Sequence, residues 1–447
     1  MDFRKIADNF KEFCNEFKDI FLCHRHDNTS AAHQYVCGLL QADKANMERM
    51  EERVAHSNYE ALQQFISDSP WSARAVFDRV SREADKLLGG TGETALIIDE
   101  SAFAKKGKSS VGVARQWNGR LGKKENSQVA VFGALAAKNR ATLVDAELFL
   151  PREWTEDADR CKKAGVPKSA RVHRTKPELG LEIVRRQRRL GVRFDYVGGD
   201  ALYGHGAEFS RAIEDMGEIF FLHVHADQHV FLEDPRPRVP PRRSSRGRAP
   251  SRLRPQRQSV RVDDYVKGLG PEDWERVVAR ETTQGPLKVD IHRRRVWTWD
   301  GRESRARQRQ LVVRRNPSPS DDVKYALTNA PAETSTTGLA RMEAQRFWVE
   351  RALEDGKSEV GMAEYQVRGW RAWRHHMALV LMAMLFMLRC RIQSAESAPL
   401  LSCHDVRLLL AHFLPRADFG AEAVIAQMER RHRKRRAAMA NQKFGPG

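Results

Sequence analysis

Over the first 88 residues the apolar positions recur three and four apart: Phe3, Ile6, Phe10, Phe13 and Phe17, then Tyr35, Leu39 and Leu40. That spacing lines one face of a helix, and no strand-like alternation interrupts it. Asn58–Ile66 continues the pattern until Ser69-Pro70-Trp71 breaks it, and Ser72 is placed to cap a further helix ending at Gly89-Gly90. The N-terminal region is therefore predicted to be all helical.

The texture changes at Thr94. Ala95-Leu96-Ile97-Ile98 is a short apolar run ending on Asp99, which predicts a buried strand with a carboxylate at its tip. A basic loop, Lys105–Lys108, separates it from two more strands, Val129–Ala136 and Thr142–Leu150, in an antiparallel meander. Lys176–Leu190 reads as a basic helix, and Phe194–Gly199 as a strand running into Asp200. Helix alternating with strand makes this part mixed α/β.

Further strands follow at Ile219–Val224, Val230–Leu232, Leu287–Ile291, Arg295–Trp299, Gln310–Val313 and Lys324–Asn329. Between them Pro235–Arg261 holds ten arginines, five prolines after Pro235 and no acidic residue, a composition expected to form a mobile basic loop and no core. Long helices are predicted over Ser335–Leu353 and Trp370–Ile392, and Met428–Met439 is a basic helix or tail. No internal repeat is present.

Composition narrows the partners. Lys and Arg number 77 against 59 Asp and Glu, a formal charge of +18 over 447 residues, which favours polyanions and nucleic acid first among them. The longest apolar run, Met377–Leu388, is too short to cross about 30 Å of hydrocarbon. The first residues lack the apolar stretch of a secretory signal. Six cysteines without a CxxC point to reduced thiols. The expectation is a soluble, cytoplasmic protein with no membrane partner.

Asp99 and Asp200 each close an apolar strand, so both carboxylates are expected at one edge of a shared sheet. Hard oxygen donors there suit Mg²⁺ or Mn²⁺. Two such ions about 4 Å apart would activate an attacking oxygen and stabilise the leaving one in a phosphodiester displacement. Either Asp alone is more simply a cap or turn residue, so a third carboxylate is needed. Asp195 opens its strand where Asp200 ends it, and Glu100 is expected on the face opposite Asp99; both are weaker candidates.

Arg346-Phe-Trp-Val-Glu350-Arg-Ala-Leu-Glu-Asp-Gly-Lys357 supplies one. On a helix Arg346, Glu350 and Lys357 share a face, a carboxylate between two cations. The segment resembles the Tyr-x2-Arg-x3-Glu-x6-Lys signature of one branch of bacterial insertion-sequence DDE transposases. The resemblance extends to Tyr35-Val-Cys-Gly-Leu-Leu-Gln-Ala-Asp-Lys, Ser69-Pro-Trp71, Asp99-Glu-Ser-Ala-Phe-Ala-Lys-Lys-Gly-Lys108, Asp200-Ala-Leu-Tyr-Gly204 and Tyr365-Gln-Val-Arg-Gly-Trp370, landmarks that together span most of the chain.

The resemblance implies an RNase H-like α/β catalytic domain interrupted by a β-rich insertion. Its expected boundaries here are 91–218 with 335–394 for the catalytic domain and 219–334 for the insertion, which carries the disordered basic loop 235–261. A helical DNA-binding region, 1–90, would precede it and a helical basic segment, 395–447, would follow. By the same resemblance Asp99, Asp200 and Glu350 are the catalytic residues and hold two Mg²⁺ or Mn²⁺ ions, with Arg346 and Lys357 on DNA phosphates. The signature's Tyr is replaced by Glu343, whose charge would repel a DNA backbone.

Lys105, Lys106 and Lys108 are expected to bind DNA. Trp297 and Trp299, on one face of a strand behind Arg293, Arg294 and Arg295, are either core residues or, as in relatives, stack on an extruded base. Cys14, Cys23, His24, His26, His33 and Cys37 match no zinc spacing and read as core. The basic runs Arg185–Arg189, 236–261 and Arg430–Arg436 suit salt-sensitive backbone contact. The expected activity is cut-and-paste transposition: binding of terminal inverted repeats, metal-dependent strand cleavage and 3′-hydroxyl transfer into target DNA by a homodimer, at the bacterial nucleoid. A nuclease that cuts without joining, or an inactive DNA-binding relic, are the alternatives.

Overall fold

A computed structural model describes residues 2–23, 26–242, 248–282, 284–317, 322–418 and 420–443. Residues 77–354 form one compact unit, and residues 1–76 with 355–447 a second.

The first unit is built on a ten-stranded sheet. Six strands come first in the chain: β1 (Ala95–Ala104), β2 (Ala114–Asn118), β3 (Lys123–Ala137), β4 (Arg140–Leu148), β5 (Tyr196–Gly199) and β6 (Phe220–Val224). β1 pairs antiparallel with β3 along its whole length, and β3 pairs antiparallel with β2 and β4. On its other side β1 pairs parallel with β5 over four residues, and β5 parallel with β6. Ala95–Ile98 is buried on both faces, which explains why the run lacks alternation.

The crossover from β4 to β5 is carried by helix α1 (Lys176–Arg189). Thr175 and Glu178 form a reciprocal capping box at its start, and Leu179, Ile183 and Val184 are buried. After β5 come α2 (Ala201–Gly204) and α3 (Ala207–Asp215). Four more strands, β7 (Glu275–Thr282), β8 (Gly285–Thr298), β9 (Arg307–Arg315) and β10 (Val323–Thr328), precede α4 (Thr336–Ala344) and α5 (Arg346–Glu359).

β7–β10 are the strands expected to form an insertion. They do not make a sheet of their own: β10 pairs with β6, from Tyr325 opposite Val224 to Thr328 opposite Phe221, and the sheet runs on through β9, β8 and β7. The outer edge of β6 presents unpaired backbone groups, and β10 satisfies them. Val224, Val230, Val262, Val296, Leu311, Val313 and Leu327 form a local core beside this junction. The basic loop is more ordered at its base than its composition implies. Arg238 and Arg254 exchange two backbone hydrogen bonds, and Val260–Arg261 pairs with His229–Val230. Its centre, 243–247, lies outside the described residues.

The second unit is mainly helical, with a two-residue hairpin, Leu22–Cys23 against His26–Asp27. Its centre is the helix Trp370–Gln393, which the resemblance assigned to the catalytic domain but which packs among the N-terminal helices. Phe10 and Phe13 pack on Phe386, Tyr35 Oη lies 3.0 Å from His376 Nδ1, and His375 stacks on Trp71. The physical reason is its near-continuous apolar surface: a helix hydrophobic on all sides needs cover on all sides. Its length and composition equal those of a membrane span, yet 83% of its most apolar stretch is buried inside the protein.

Candidate active site

The parallel pairing of β1 with β5 ends at Ile98 opposite Gly199. Asp99 and Asp200 are the next residue on each strand, so register alone brings them side by side. From there the backbones diverge: β1 stays paired to β3 as far as Ala104, while β5 turns into α2 with Asp200 as N-cap. Asp200 Oδ1 accepts from Leu202 N at 2.9 Å, and Asp99 Oδ1 from Glu100 N at 2.8 Å. One oxygen of each carboxylate is thereby held.

Glu100 completes the cluster. One carboxylate oxygen from each of Asp99, Glu100 and Asp200 lies within 4.8 Å of the others, the single such acidic, histidine or cysteine grouping among the described residues. Strict alternation places Glu100 on the face of β1 that carries Leu96 and Ile98, toward α1, and two partners hold its carboxylate there. Tyr203 Oη donates to Oε2 at 3.2 Å and Lys176 Nζ to Oε1 at 3.0 Å. Tyr203 is fully buried, one turn after Asp200, and Lys176 opens α1. Asp195 has a different role: its Oδ2 accepts from Thr94 N at 2.7 Å, tying the starts of β1 and β5 together.

Burial pushes the Asp99 carboxyl up to about 7; Asp200 and Glu100 push the same way, and the Arg346 guanidinium opposes them. Three carboxylates this close repel one another, and a divalent cation relieves that repulsion. The donor set is all hard oxygen, which fits Mg²⁺ or Mn²⁺.

Glu350 does not join that cluster. It sits one turn into α5, half exposed, with Oε1 3.2 Å from Arg346 Nη2. Arg346 is thus between the two: it pairs with Glu350 and its charge reaches Asp99. Glu343, which stands where the signature has Tyr, turns inward and is buried at the end of α4. Burial raises its carboxyl above the usual range, with Arg314, Lys324 and Arg346 opposing.

The remaining expected contacts are spread out. Lys106 and Lys108 are exposed, while Lys105 is half-buried and pushed down to about 8 by burial. Arg293, Arg294 and Arg295 are exposed on β8. Trp297 is half-buried and its backbone exchanges two hydrogen bonds with Phe231. Trp299, just past β8, donates from Nε1 to the Glu303 carbonyl at 2.7 Å and lines a cavity of about 320 Å³ beside α3. Lys357 lies on α5 seven residues beyond Glu350, half-buried. Cys14 and Cys37 are buried free thiols, and His24 lies outside the described residues.

Sequence reasoning passed over Tyr203, Lys176, His223 and Arg314. A signal existed for two of them: Tyr203 sits inside the Asp200–Gly204 motif, and His223 is the lone polar residue in an apolar strand.

A family model described as "DDE superfamily endonuclease" matches residues 12–286, a span that includes Asp99 and Asp200 and stops before Glu350. The chain is 21% identical over 359 residues to a probable transposase for insertion sequence element IS701 of Microchaete diplosiphon, covering 80% of this chain and 81% of that one. A piggyBac transposase, solved in a synaptic complex with hairpin DNA, aligns at 11% identity and a TM-score of 0.39, over 92% of this chain and 79% of that one.

Proposed function

The chain belongs to the DDE superfamily of endonucleases, and on that premise we propose that it is the transposase of a bacterial insertion sequence. It would bind the element's terminal inverted repeats, cut the DNA strands and join the freed 3′-hydroxyls to target DNA. The observation that carries this reading is the carboxylate cluster at the point where β1 and β5 part, Asp99 beside Asp200 with Glu100 between Tyr203 and Lys176. The order and directions of β1, β3, β4, β5 and β6 support an RNase H-like catalytic domain.

Asp99 and Asp200 would hold two divalent ions, with Glu350, which stands outside their cluster on Arg346, as the third ligand; the ions would supply a Lewis acid for the scissile phosphate and a means of activating the attacking oxygen. The protein's own part is positional. Backbone amides fix one oxygen of Asp99 and of Asp200. Arg346 and Lys357 would meet DNA phosphates, and the exposed Lys106, Lys108 and Arg293–Arg295 would add salt-sensitive backbone contact. Water and a DNA 3′-hydroxyl would attack at the same site in turn, so no covalent protein–DNA link is required. Joining two ends calls for at least two copies of the chain on DNA.

The test uses labelled DNA bearing the element's own ends, with wild type beside Glu350→Gln. Mg²⁺-dependent nicking and joining that vanish in the variant while DNA binding persists is the expected result. Cleavage without joining would make the protein a nuclease. Binding with no cleavage by wild type would make it a relic.

A further inference from the structure

We propose that Glu343 is a positioning residue for Glu350, acting through His223 and Arg346. The inference rests on the reading of Glu350 as the third carboxylate, and it explains why the chain departs from the signature at this position.

Four side chains stand in series. Glu343 Oε1 lies 3.7 Å from His223 Nε2, Arg346 Nη1 lies 3.2 Å from His223 Nδ1, and Arg346 Nη2 lies 3.2 Å from Glu350 Oε1. A guanidinium has only protons to offer, so Nδ1 must present its lone pair and the ring's proton must sit on Nε2. That proton points at Glu343. Nε2 is buried and has no hydrogen-bond partner, which leaves the Glu343 carboxylate as the group that favours this tautomer over the other. With the other tautomer Nδ1–H would face Arg346 and repel it.

The ring's surroundings keep it a neutral acceptor. Burial and the charges of Arg346, Lys324 and Arg314 push His223 down to about 3. Glu343 in turn is held by the Arg314 guanidinium, whose Nε is 3.7 Å from Oε2. The series therefore starts on β9, passes the end of α4, crosses β6 and ends on the catalytic helix. α4 stops at Ala344 and α5 begins at Arg346, with buried Gln345 between them. The first residue of α5 is thus anchored to the sheet through His223. A carboxylate that orients a histidine, which orients a ligand's partner, is the logic by which outer residues tune metal sites.

The experiment measures cleavage rate, melting temperature and the Mg²⁺ concentration giving half-maximal cleavage, in the full chain. Glu343→Leu removes the carboxylate that faces Nε2–H and is expected to slow cleavage about 10- to 100-fold and to raise the Mg²⁺ requirement, with the melting temperature unchanged. Glu343→Gln keeps an acceptor oxygen and should recover most of that loss. His223→Asn puts an amide oxygen where Nδ1 stands and has no tautomer to set, so adding Glu343→Leu to it should cost little more.

Equal losses in Glu343→Gln and Glu343→Leu would overturn the proposal, as would additive losses in the double variant. So would a Glu343→Leu defect that goes with a fall in melting temperature. If wild type itself does not cleave, the transposase reading fails. In that case ring ¹⁵N spectra still decide this one: the His223 resonance, identified by its loss in His223→Asn, must report Nε2–H in wild type and must change in Glu343→Leu.

Discussion

Gly204 is the residue through which the fold holds Asp200 in place, and Gly204→Ala tests that directly. A methyl at this position would overlap the carbonyl oxygen of His223, lying 3.0 Å from its carbon and 3.3 Å from Leu222 Cβ. The strand cannot yield, because β6 is paired to β5 on one side and β10 on the other. α2 must lift instead, by about 1 Å if ordinary contact is to be restored. Asp200 is the N-cap of that four-residue helix and moves with it. A misplacement of about 1 Å costs on the order of 100-fold in rate, and overpacking of this kind costs about 1–3 kcal/mol of stability. The assay is the initial rate of Mg²⁺-dependent nicking, read beside a circular dichroism melt and DNA affinity measured in EDTA. Nicking should fall about 100-fold and the melt by about 3–6 °C, with DNA affinity kept. Gly206→Ala is the control, since nothing lies within 4 Å of a methyl there, and it should behave as wild type. If Gly204→Ala nicks within about threefold of wild type, a rigid seat on β6 is not what places Asp200.

Two further outcomes follow from the structure. Asp99 holds its proton up to about pH 7 in the folded protein and loses it near its ordinary value of 3.8 when unfolded. Its contribution to stability is therefore full below pH 4 and lost as pH rises to 7, a difference of about 4 kcal/mol at most. Asp99→Asn should abolish cleavage yet raise the melting temperature in EDTA at pH 8, with the gain shrinking toward pH 5; a gain independent of pH would refute the account. His375 faces two carbonyl oxygens, Ile66 at 2.9 Å and Trp71 at 3.0 Å. Burial pushes the ring down to about 4, so it is neutral and donates its one N–H to one of the two. His375→Leu leaves that carbonyl buried and unpaired, so the helical unit should lose about 1–3 kcal/mol, seen as an earlier melt in the far-ultraviolet; an unchanged melt would show that the bond does not matter.

The sites of Asp99 and Asp200 were legible because the signals are local. Four apolar residues followed by an acid describe a buried strand leaving the sheet, whatever the rest of the chain does. The helix Lys176–Arg189 was legible for the same reason, its start being set by Thr175 and Glu178 three residues apart. Glu350 was singled out by the resemblance to the family signature, and spacing within one helix explains its pairing with Arg346.

What periodicity did not reach was any feature that depends on a distant partner. Alternation along β1 puts Glu100 on the face opposite Asp99; only Tyr203 and Lys176, each at least 76 residues away, show how its carboxylate is held within reach of the other two. Glu343 reads as a surface charge on a helix, and only the arrival of His223 and Arg314 from two strands makes burial tolerable. The strands after residue 274 read equally well as a separate domain or as part of the same sheet, because a strand's pattern specifies its faces and says nothing about which edge it will pair with. The sequence by itself thus determined the strand ends and the helix that carry the acids. Tertiary structure alone decided which side chains surround them, since those contacts are made by backbone pairing and packing between segments that no local period connects.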